Sequence, residues 1–147
     1  MNTTIDKSKE LNASIVLIND KLHFNGLVEN NAPVSIDYVA PLGDDSGYTS
    51  LELLLLSLSS CIGSAVLTFL RKMRKNITGL EILSKGIRRS EHPTGFETIY
   101  LEINLKSSDT TADDLTKVLK LSEDTYCPIW AMIKGNVEVV VTPHIIT

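Results

Sequence analysis

The chain has 147 residues, a formal net charge of −4 and a pI near 5.3. This acidic balance, with no face that concentrates lysine and arginine, argues against nucleic acid as a partner. Hydrophobic residues make up 43% of the chain and charged residues 22%, as in ordinary globular proteins. The length fits one domain, so we predict a single domain over residues 1–147, with residues 1–12 as a flexible N-terminal segment.

The N-terminus and the scattered histidines limit where the chain works and what it binds. Residues 1–7 contain no apolar segment, so we predict no secretory signal and a cytoplasmic location. The two cysteines should stay reduced there unless oxidation belongs to a catalytic cycle. The histidines stand at positions 23, 92 and 144, without the short spacings of metal ligands. We therefore predict neither a metal site nor a bound cofactor.

The N-terminal third carries three strand patterns and a turn-rich loop. Strands are predicted over residues 13–19, 22–28 and 33–39. The last two form a hairpin around residues 29–32. The loop over residues 41–47 is rich in turn-forming residues and leads into the next element.

A long apolar helix follows this loop. Thr49 and Glu52 match a capping box, which predicts a helix running to about Arg74, roughly 37 Å at about 1.5 Å per residue. Its leucines point in every direction around the axis, so we predict burial on all sides. Two small sheets can cover two sides, and we expect a second subunit to cover the rest along a stripe of small residues. The stripe consists of Ser57, Ser60, Cys61, Ser64 and Thr68.

The same helix has to be tested as a membrane span. Residues 53–70 are 18 positions without a charge, which is the lower limit for crossing a bilayer. Serine and threonine lower the hydrophobicity of this stretch, and the alternating strands on both sides need an apolar element to cover them. We therefore interpret it as a core helix and expect no membrane partner.

The C-terminal half mixes strands and helices. Strands are predicted over residues 80–89, 96–106 and 137–141. Helices are predicted to begin at Thr111 and at Pro128, the second one ending at residues 134–135. Together with the N-terminal strands, this order predicts an α+β fold.

Two cysteines, 66 positions apart, stand in contexts that suggest chemistry. Cys61 lies about two and a half turns into the long helix, where a lone cysteine is usually a small buried hydrophobe. Cys127 stands at a helix start, where exposed N–H groups stabilise a thiolate. Position alone therefore predicts Cys127 as the more acidic thiol. Redox chemistry requires that folding bring the two sulfurs together.

Four motifs in order resemble one family. Residues 50–55 (SLELLL) and 58–61 (LSSC) are similar to the Ser-Pro-x-Glu-Leu-Leu-Leu…Gly-Gly-Cys signature of OsmC-like proteins. The other three motifs are residues 71–74 (RKMR), 92–96 (HPTGF) and 121–128 (LSEDTYCP). The resemblance extends from about residue 21 to residue 142, and it places the chain in the broad OsmC-like branch of the OsmC/Ohr superfamily.

The resemblance implies a fold, an assembly and an activity. It implies two small antiparallel sheets packed around a long central helix, in an intertwined homodimer with its active sites at the subunit interface. It also implies a thiol peroxidase that reduces small organic hydroperoxides. Cys61 matches the attacking cysteine and Cys127 the resolving one, which would form a disulfide through a sulfenic acid. An external dithiol, such as a lipoyl group, would reduce that disulfide.

The chain departs from the characterised peroxidases in the group that activates the thiolate. Those enzymes use an arginine from the N-terminal sheet region, whereas no arginine precedes Arg71 here. Lys21 and His23 lie in the corresponding stretch and are candidates for the activating cation. Both also fit ordinary strand or turn positions, and His23 is only partly charged near neutral pH.

Glu52 is a further candidate for the site, and the activity itself has an alternative. Nine residues at about 100° each place Glu52 opposite Cys61 and about 13 Å along the helix, so the two side chains cannot touch on one straight helix. Glu52 could act in catalysis only through a bridging cation or in the other subunit's site. Capping of the helix explains Glu52 equally well. Tyr126 and Trp130 fit core packing better than a pocket lining.

The alternative function is a non-catalytic OsmC-like dimer that binds a small apolar ligand. A third interpretation is a structural dimer with inert cysteines.

Overall fold

The computed structural model describes residues 6–147, which fall into two compact units that meet in the chain between Leu53 and Leu54. The predicted flexible segment over residues 1–12 lies partly outside the described residues, and the single domain stays a prediction. Each unit contains one three-stranded sheet, and a long helix begins in the first unit and continues through the second. The predicted α+β class is confirmed.

The first unit contains an antiparallel sheet in the order β1-β2-β3. Its strands are β1 (Ser14–Leu17), β2 (Phe24–Leu27) and β3 (Val34–Ile36), each lying inside its predicted range. The hairpin between β2 and β3 turns with Asn30 at φ 66°, in the left-handed region that asparagine tolerates better than most residues.

A buried carboxylate organises the loop that follows β3. Asp37 is only 3% exposed, and its oxygens accept hydrogen bonds from the backbone N–H groups of Tyr38, Asp44 and Ser46 at 2.7–3.1 Å. Burial alone would raise the pKa of Asp37, but these N–H groups outweigh it and hold the pKa below its ordinary value. A Cβ at Gly43 would overlap the Tyr38 carbonyl, so this close wrapping requires glycine there.

Helix α1 (Ser50–Lys72) begins at the predicted capping box. The Glu52 amide donates to the Thr49 hydroxyl at 3.2 Å, and the Thr49 amide donates to the Glu52 carboxylate at 2.9 Å. The helix ends two residues before the predicted Arg74, because Arg74 adopts a left-handed φ of 59° that ends the helical turn.

One face of α1 belongs to the core of the second unit. The side chains at four-residue spacing along this face are fully buried: Leu58, Ile62, Val66 and Leu70. A Cβ at Gly63 would touch Leu80 and Ile82, so the missing side chain lets the helix approach the second sheet closely. By length and composition α1 could also span a bilayer, but a buried core helix passes the same test.

The chain by itself leaves part of α1 exposed, and burial on all sides, which was expected to need a second subunit, stays a prediction. Leu56 is 53% exposed, and most of the small-residue stripe is exposed: Ser57, Ser60, Ser64 and Thr68. The exposed part of α1 includes the stripe that we predict a second subunit to cover.

The second sheet contains β4 (Ile77–Arg88), β5 (Phe96–Ser107) and β6 (Glu138–Ile146) in that order. Strand β5 alternates as predicted, with Ile99, Leu101, Ile103 and Leu105 buried. The expectation of two antiparallel sheets is wrong here, because β5 and β6 are parallel. The chain between them forms helices that return it to the end of the sheet where β5 began, which is the geometry of a parallel crossover.

This crossover consists of two helices joined by a π-turn. Helix α2 (Ala112–Leu121) begins at a capping box between Thr111 and Asp114. The π-turn (Ser122–Tyr126) follows directly, and helix α3 (Pro128–Ile133) begins after Cys127. The sequence patterns predicted both helices but not the π-turn.

Candidate active site

Helix α1 places Cys61 at the edge of the buried face. Its neighbours Leu58 and Ile62 are fully buried, whereas Ser57 and Ser64 are exposed, and Cys61 itself is half-buried. The apolar sequence that makes the helix a core element also removes every charged side chain from residues 53–70. The helix therefore presents a partly accessible thiol in an uncharged setting.

The π-turn and the start of α3 position Cys127. The Cys127 amide donates to the Ser122 carbonyl at 2.8 Å, which closes the π-turn, and the Ser122 hydroxyl donates to the Val118 carbonyl. The Cys127 sulfur caps α3 by accepting the Trp130 amide at 3.4 Å. With 2% of its surface exposed, Cys127 is the more buried of the two thiols.

The two sulfurs meet. The Cys127 Sγ lies 2.8 Å from the Cys61 Sγ, both residues are free thiols, and the Cys127 S–H donates toward Cys61. A disulfide bond is about 2.05 Å long, so bond formation needs a movement of less than about 1 Å. The structure therefore brings together the two cysteines that the sequence singled out.

Cys127 holds its proton strongly. Burial, followed by the hydrogen bond that it donates to Cys61, raises the pKa of Cys127 to about 11, against the smaller opposing effect of the Trp130 amide. The expectation that the helix start makes Cys127 an acidic thiol is therefore wrong. Helix α3 has only six residues, and its first N–H groups do not offset the loss of solvation at the sulfur.

Tyr126, which directly precedes Cys127, makes an aromatic contact with α1. The rings of Phe69 and Tyr126 are 4.6 Å apart and tilted, and the Lys72 ammonium lies 5.5 Å from the centre of the Phe69 ring. Trp130 is buried, as its predicted core role requires. Tyr126 is 53% exposed, so its predicted core packing is wrong, and its ring packs against Phe69 of α1 instead.

Glu52 lies in the first turn of α1 and serves the capping box. The Thr49 amide, and then the Thr49 hydroxyl, hold the pKa of Glu52 below its ordinary value. These contacts give Glu52 a structural role. A catalytic role in the other subunit's site, or through a bridging cation, stays a prediction.

The two candidate cations lie in the first unit and have partners there. The Lys21 ammonium lies 2.7 Å from an Asp44 carboxylate oxygen, and this contact raises the pKa of Lys21. The His23 ring nitrogen Nε2 lies 2.7 Å from the Ser35 hydroxyl, which donates to the Ser46 carbonyl, so Nε2 donates to Ser35. An activating role for either residue stays a prediction.

Comparison with known proteins decides the family. The family model described as OsmC-like protein matches residues 43–142, more than half of the chain. The chain belongs to the OsmC-like family. The matched residues include Glu52 and both cysteines of this OsmC-like chain. No curated protein sequence matches it at a significant level.

Solved structures share the OsmC-like fold. A hypothetical protein from Aquifex aeolicus is 25% identical with a TM-score of 0.82, covering 93% of this chain and 96% of that one. An OsmC-like protein from Mycoplasma pneumoniae is 15% identical with a TM-score of 0.81, covering 94% and 98%. An organic hydroperoxide resistance protein from Elizabethkingia anophelis is 17% identical with a TM-score of 0.71, covering 99% and 100%. The two likenesses below 25% identity show the fold alone.

The site of this OsmC-like chain is thus a thiol pair built by two distant segments. Among residues 6–147, no group of three or more His, Cys, Asp or Glu side chains is arranged to hold a metal ion. Sequence reasoning missed the π-turn that positions Cys127. The serine at position 122 was a weak signal for it. A serine hydroxyl near the end of a helix can donate to the carbonyl four residues earlier, as Ser122 does to Val118, and so disturb the regular helical hydrogen bonds.

Proposed function

We propose that this OsmC-like protein is a thiol-dependent peroxidase that reduces organic hydroperoxides to alcohols. The observation that carries the proposal is the 2.8 Å separation of a half-buried sulfur, Cys61, from a buried and protonated one, Cys127. Solved structures with this fold include proteins named organic hydroperoxide resistance proteins, from Elizabethkingia anophelis and Bacillus subtilis.

The first step oxidises Cys61. Its thiolate attacks the terminal oxygen of the hydroperoxide, the O–O bond breaks, and the departing alkoxide takes a proton and leaves as an alcohol. The sulfur loses two electrons and becomes a sulfenic acid. Cys61 is assigned this role because it is the more accessible thiol, while Cys127 retains its proton at neutral pH.

The second step joins the two sulfurs. The Cys127 sulfur attacks the Cys61 sulfenic acid, the S–O bond breaks, and the Cys127 proton leaves with the oxygen as water. A protonated thiol is a weak nucleophile, but placement in contact with its target compensates for low reactivity. An external dithiol, such as a lipoyl group, then returns both cysteines to thiols by two exchanges and is itself oxidised to a disulfide.

The surroundings of Cys61 favour an organic rather than an inorganic peroxide. Residues 53–70 carry no charge, and Tyr126, which precedes Cys127 in the chain, adds an aromatic ring that packs against Phe69. An alkyl or aryl group on the peroxide would gain from contact with such surface. We place this reaction in the cytoplasm.

We also propose that the protein is a homodimer in which the second copy covers the outer side of α1. Leu56 is 53% exposed, and the stripe of small residues beside it would let another backbone approach closely. Light scattering tests this assembly, and a monomer at micromolar concentration would contradict it.

The function is tested by counting free thiols after an alkyl hydroperoxide is added to the reduced protein. Rapid loss of two thiols per chain is expected, and Cys61→Ser should abolish it. Ser59→Ala serves as the matched control, because it changes α1 two residues from Cys61, outside the stripe of small residues, and leaves both sulfurs in place. No thiol loss, combined with binding of an apolar compound, would support the ligand-binding alternative instead. The missing N-terminal arginine is what keeps that alternative open.

A further inference from the structure

We infer that Cys127 has a second role, which precedes disulfide formation: its S–H donates the hydrogen bond that stabilises the Cys61 thiolate for attack on the peroxide. The kinetic consequence of this inference rests on the proposed peroxidase function, but the hydrogen bond itself does not. The role belongs to Cys127 because it touches the reacting sulfur directly.

The geometry supports donation in this direction. The Cys127 sulfur already accepts the Trp130 amide at 3.4 Å, so its own proton is free to point elsewhere, and the Cys61 sulfur lies 2.8 Å away. Among residues 6–147, the one hydrogen bond to the Cys61 sulfur comes from Cys127. A donor held by burial in this position stabilises negative charge on its neighbour.

The charged side chains of α1 lie at its two ends, with Glu52 in the first turn and Arg71 and Lys72 in the last. Helix α1 has no charge over residues 53–70, and its Lys72 lies over the Phe69 ring. On the other side, Glu123 and Asp124 contact Lys134, and Asp124 also pairs with Lys120. The Tyr126 ring rests on Phe69, and the β4 side chains that approach α1 at Gly63 are apolar.

This arrangement also bears on the chain's unusual lack of an early arginine. A thiolate that receives a hydrogen bond from a neighbouring thiol depends less on a cation for its ionisation. The same proton serves both steps, because it first faces the thiolate and later leaves with the sulfenic oxygen as water. Removing the donor should therefore weaken the first step as well as the second.

The test compares Cys127→Ser, which keeps a donor and the cap of α3, with Cys127→Ala, which keeps neither. The chain has only two cysteines, so Cys61 is the single thiol in each variant. The rate of Cys61 alkylation by iodoacetamide is followed against pH. The midpoint in Cys127→Ala should lie about one pH unit above that in Cys127→Ser, a roughly tenfold loss of reactivity at pH 7. Coincident midpoints would overturn the inference.

Folding is checked with Trp130, the one tryptophan in the chain, which lies beside Cys127. If its emission shows that Cys127→Ala disturbs α3, then Cys127→Thr and Cys127→Val replace the first pair, because they share one shape and differ in the donor. A third measurement uses the wild type without substitution. As pH is raised, its thiolate absorbance should rise in two well-separated steps, and two overlapping steps would overturn the inference.

The outcomes separate this inference from the peroxidase proposal. If the serine and alanine variants differ in Cys61 titration but the wild type reduces no hydroperoxide, the hydrogen bond stands and the proposed function fails. If the wild type is an active peroxidase but the two variants titrate alike, the proposed function stands and the inference fails.

Discussion

Cys127 directs its thiol at the Cys61 sulfur across 2.8 Å, while its own sulfur accepts the Trp130 amide. The two cysteines belong to elements far apart in the chain, a long core helix and the junction of a π-turn with a short helix. The contact is asymmetric, since one sulfur is half-buried and the other is buried and protonated. This asymmetry assigns a different task to each thiol.

Replacing Cys127 with serine should stop the cycle at the sulfenic acid. The Cys61 thiolate still attacks the hydroperoxide, but the serine hydroxyl forms no disulfide. After one equivalent of alkyl hydroperoxide, dimedone should label Cys61, and excess peroxide should drive it to sulfinic and sulfonic acids visible by mass spectrometry. Loss of the first step in this variant would reverse the roles of the two cysteines.

The stability of the reduced protein should fall between about pH 9 and 11. The folded state raises the pKa of Cys127 from 9.0 to about 11, so the folded state binds the proton more tightly. Its contribution is complete below pH 9.0 and is lost as pH rises toward 11, by on the order of 2 kcal/mol. Urea unfolding with a reductant present measures this loss.

The serine variant is the control for this pH dependence, because it removes the Cys127 titration and leaves the lysines and tyrosines unchanged. The difference in free energy of unfolding between wild type and Cys127→Ser should therefore shift in this pH range. A constant difference from pH 7 to pH 10.5 would show that folding leaves the Cys127 thiol unperturbed.

Substitutions at Glu52 should separate capping from catalysis. Glu52→Gln keeps a side chain that can complete the capping box, whereas Glu52→Ala removes it and should lower the free energy of unfolding by about 1 kcal/mol. If Glu52 only caps α1, the glutamine variant oxidises Cys61 at the wild-type rate in stopped-flow measurements. A large fall in that rate without a change in stability would establish a catalytic role.

Asp37→Asn should loosen the loop after β3. Asparagine carries no negative charge for the amides of Tyr38, Asp44 and Ser46, so hydrogen exchange at these amides should become faster. Because folding lowers the pKa of Asp37, its stabilising effect is present above the ordinary pKa near 3.8 and is lost as pH falls below it. The variant should therefore show a weaker acid dependence of Tm.

An exposed aspartate provides the comparison for this loop prediction. Asp20→Asn removes the same charge at an exposed position of the first unit. It should leave amide exchange in the loop unchanged. Equal effects of the two substitutions would mean that net charge, rather than the Asp37 contacts, governs the loop.

Local signals were enough to predict most elements. The capping boxes at Thr49 and Thr111 both form, because their four-residue patterns are satisfied by contacts within one turn. The alternation of β5 also predicted its buried face correctly, because successive side chains of a strand point to opposite faces of the sheet. The direction of β6 was missed, because a strand pattern is the same whether its partner runs parallel or antiparallel.

The chemistry of the site depended more on tertiary structure. Both cysteines were identified from their sequence context and the family resemblance, yet the effect of the helix start on the pKa of Cys127 was predicted in the wrong direction. A helix start is visible in the sequence, whereas the burial that raises the pKa of Cys127 comes from the packing of distant segments. The hydrogen bond between the thiols has no local signature either, since 66 positions separate them.

The contact between the two thiols depends on the helical register that the π-turn sets. Such a turn holds one residue more than an α-helical turn, and here it lies between α2 and Cys127. Deleting a single residue from this segment would let the α-helix continue and rotate Cys127 by about 100° around its axis. A chain shortened in this way would keep both cysteines and nearly its whole composition, but the sulfurs would no longer face each other.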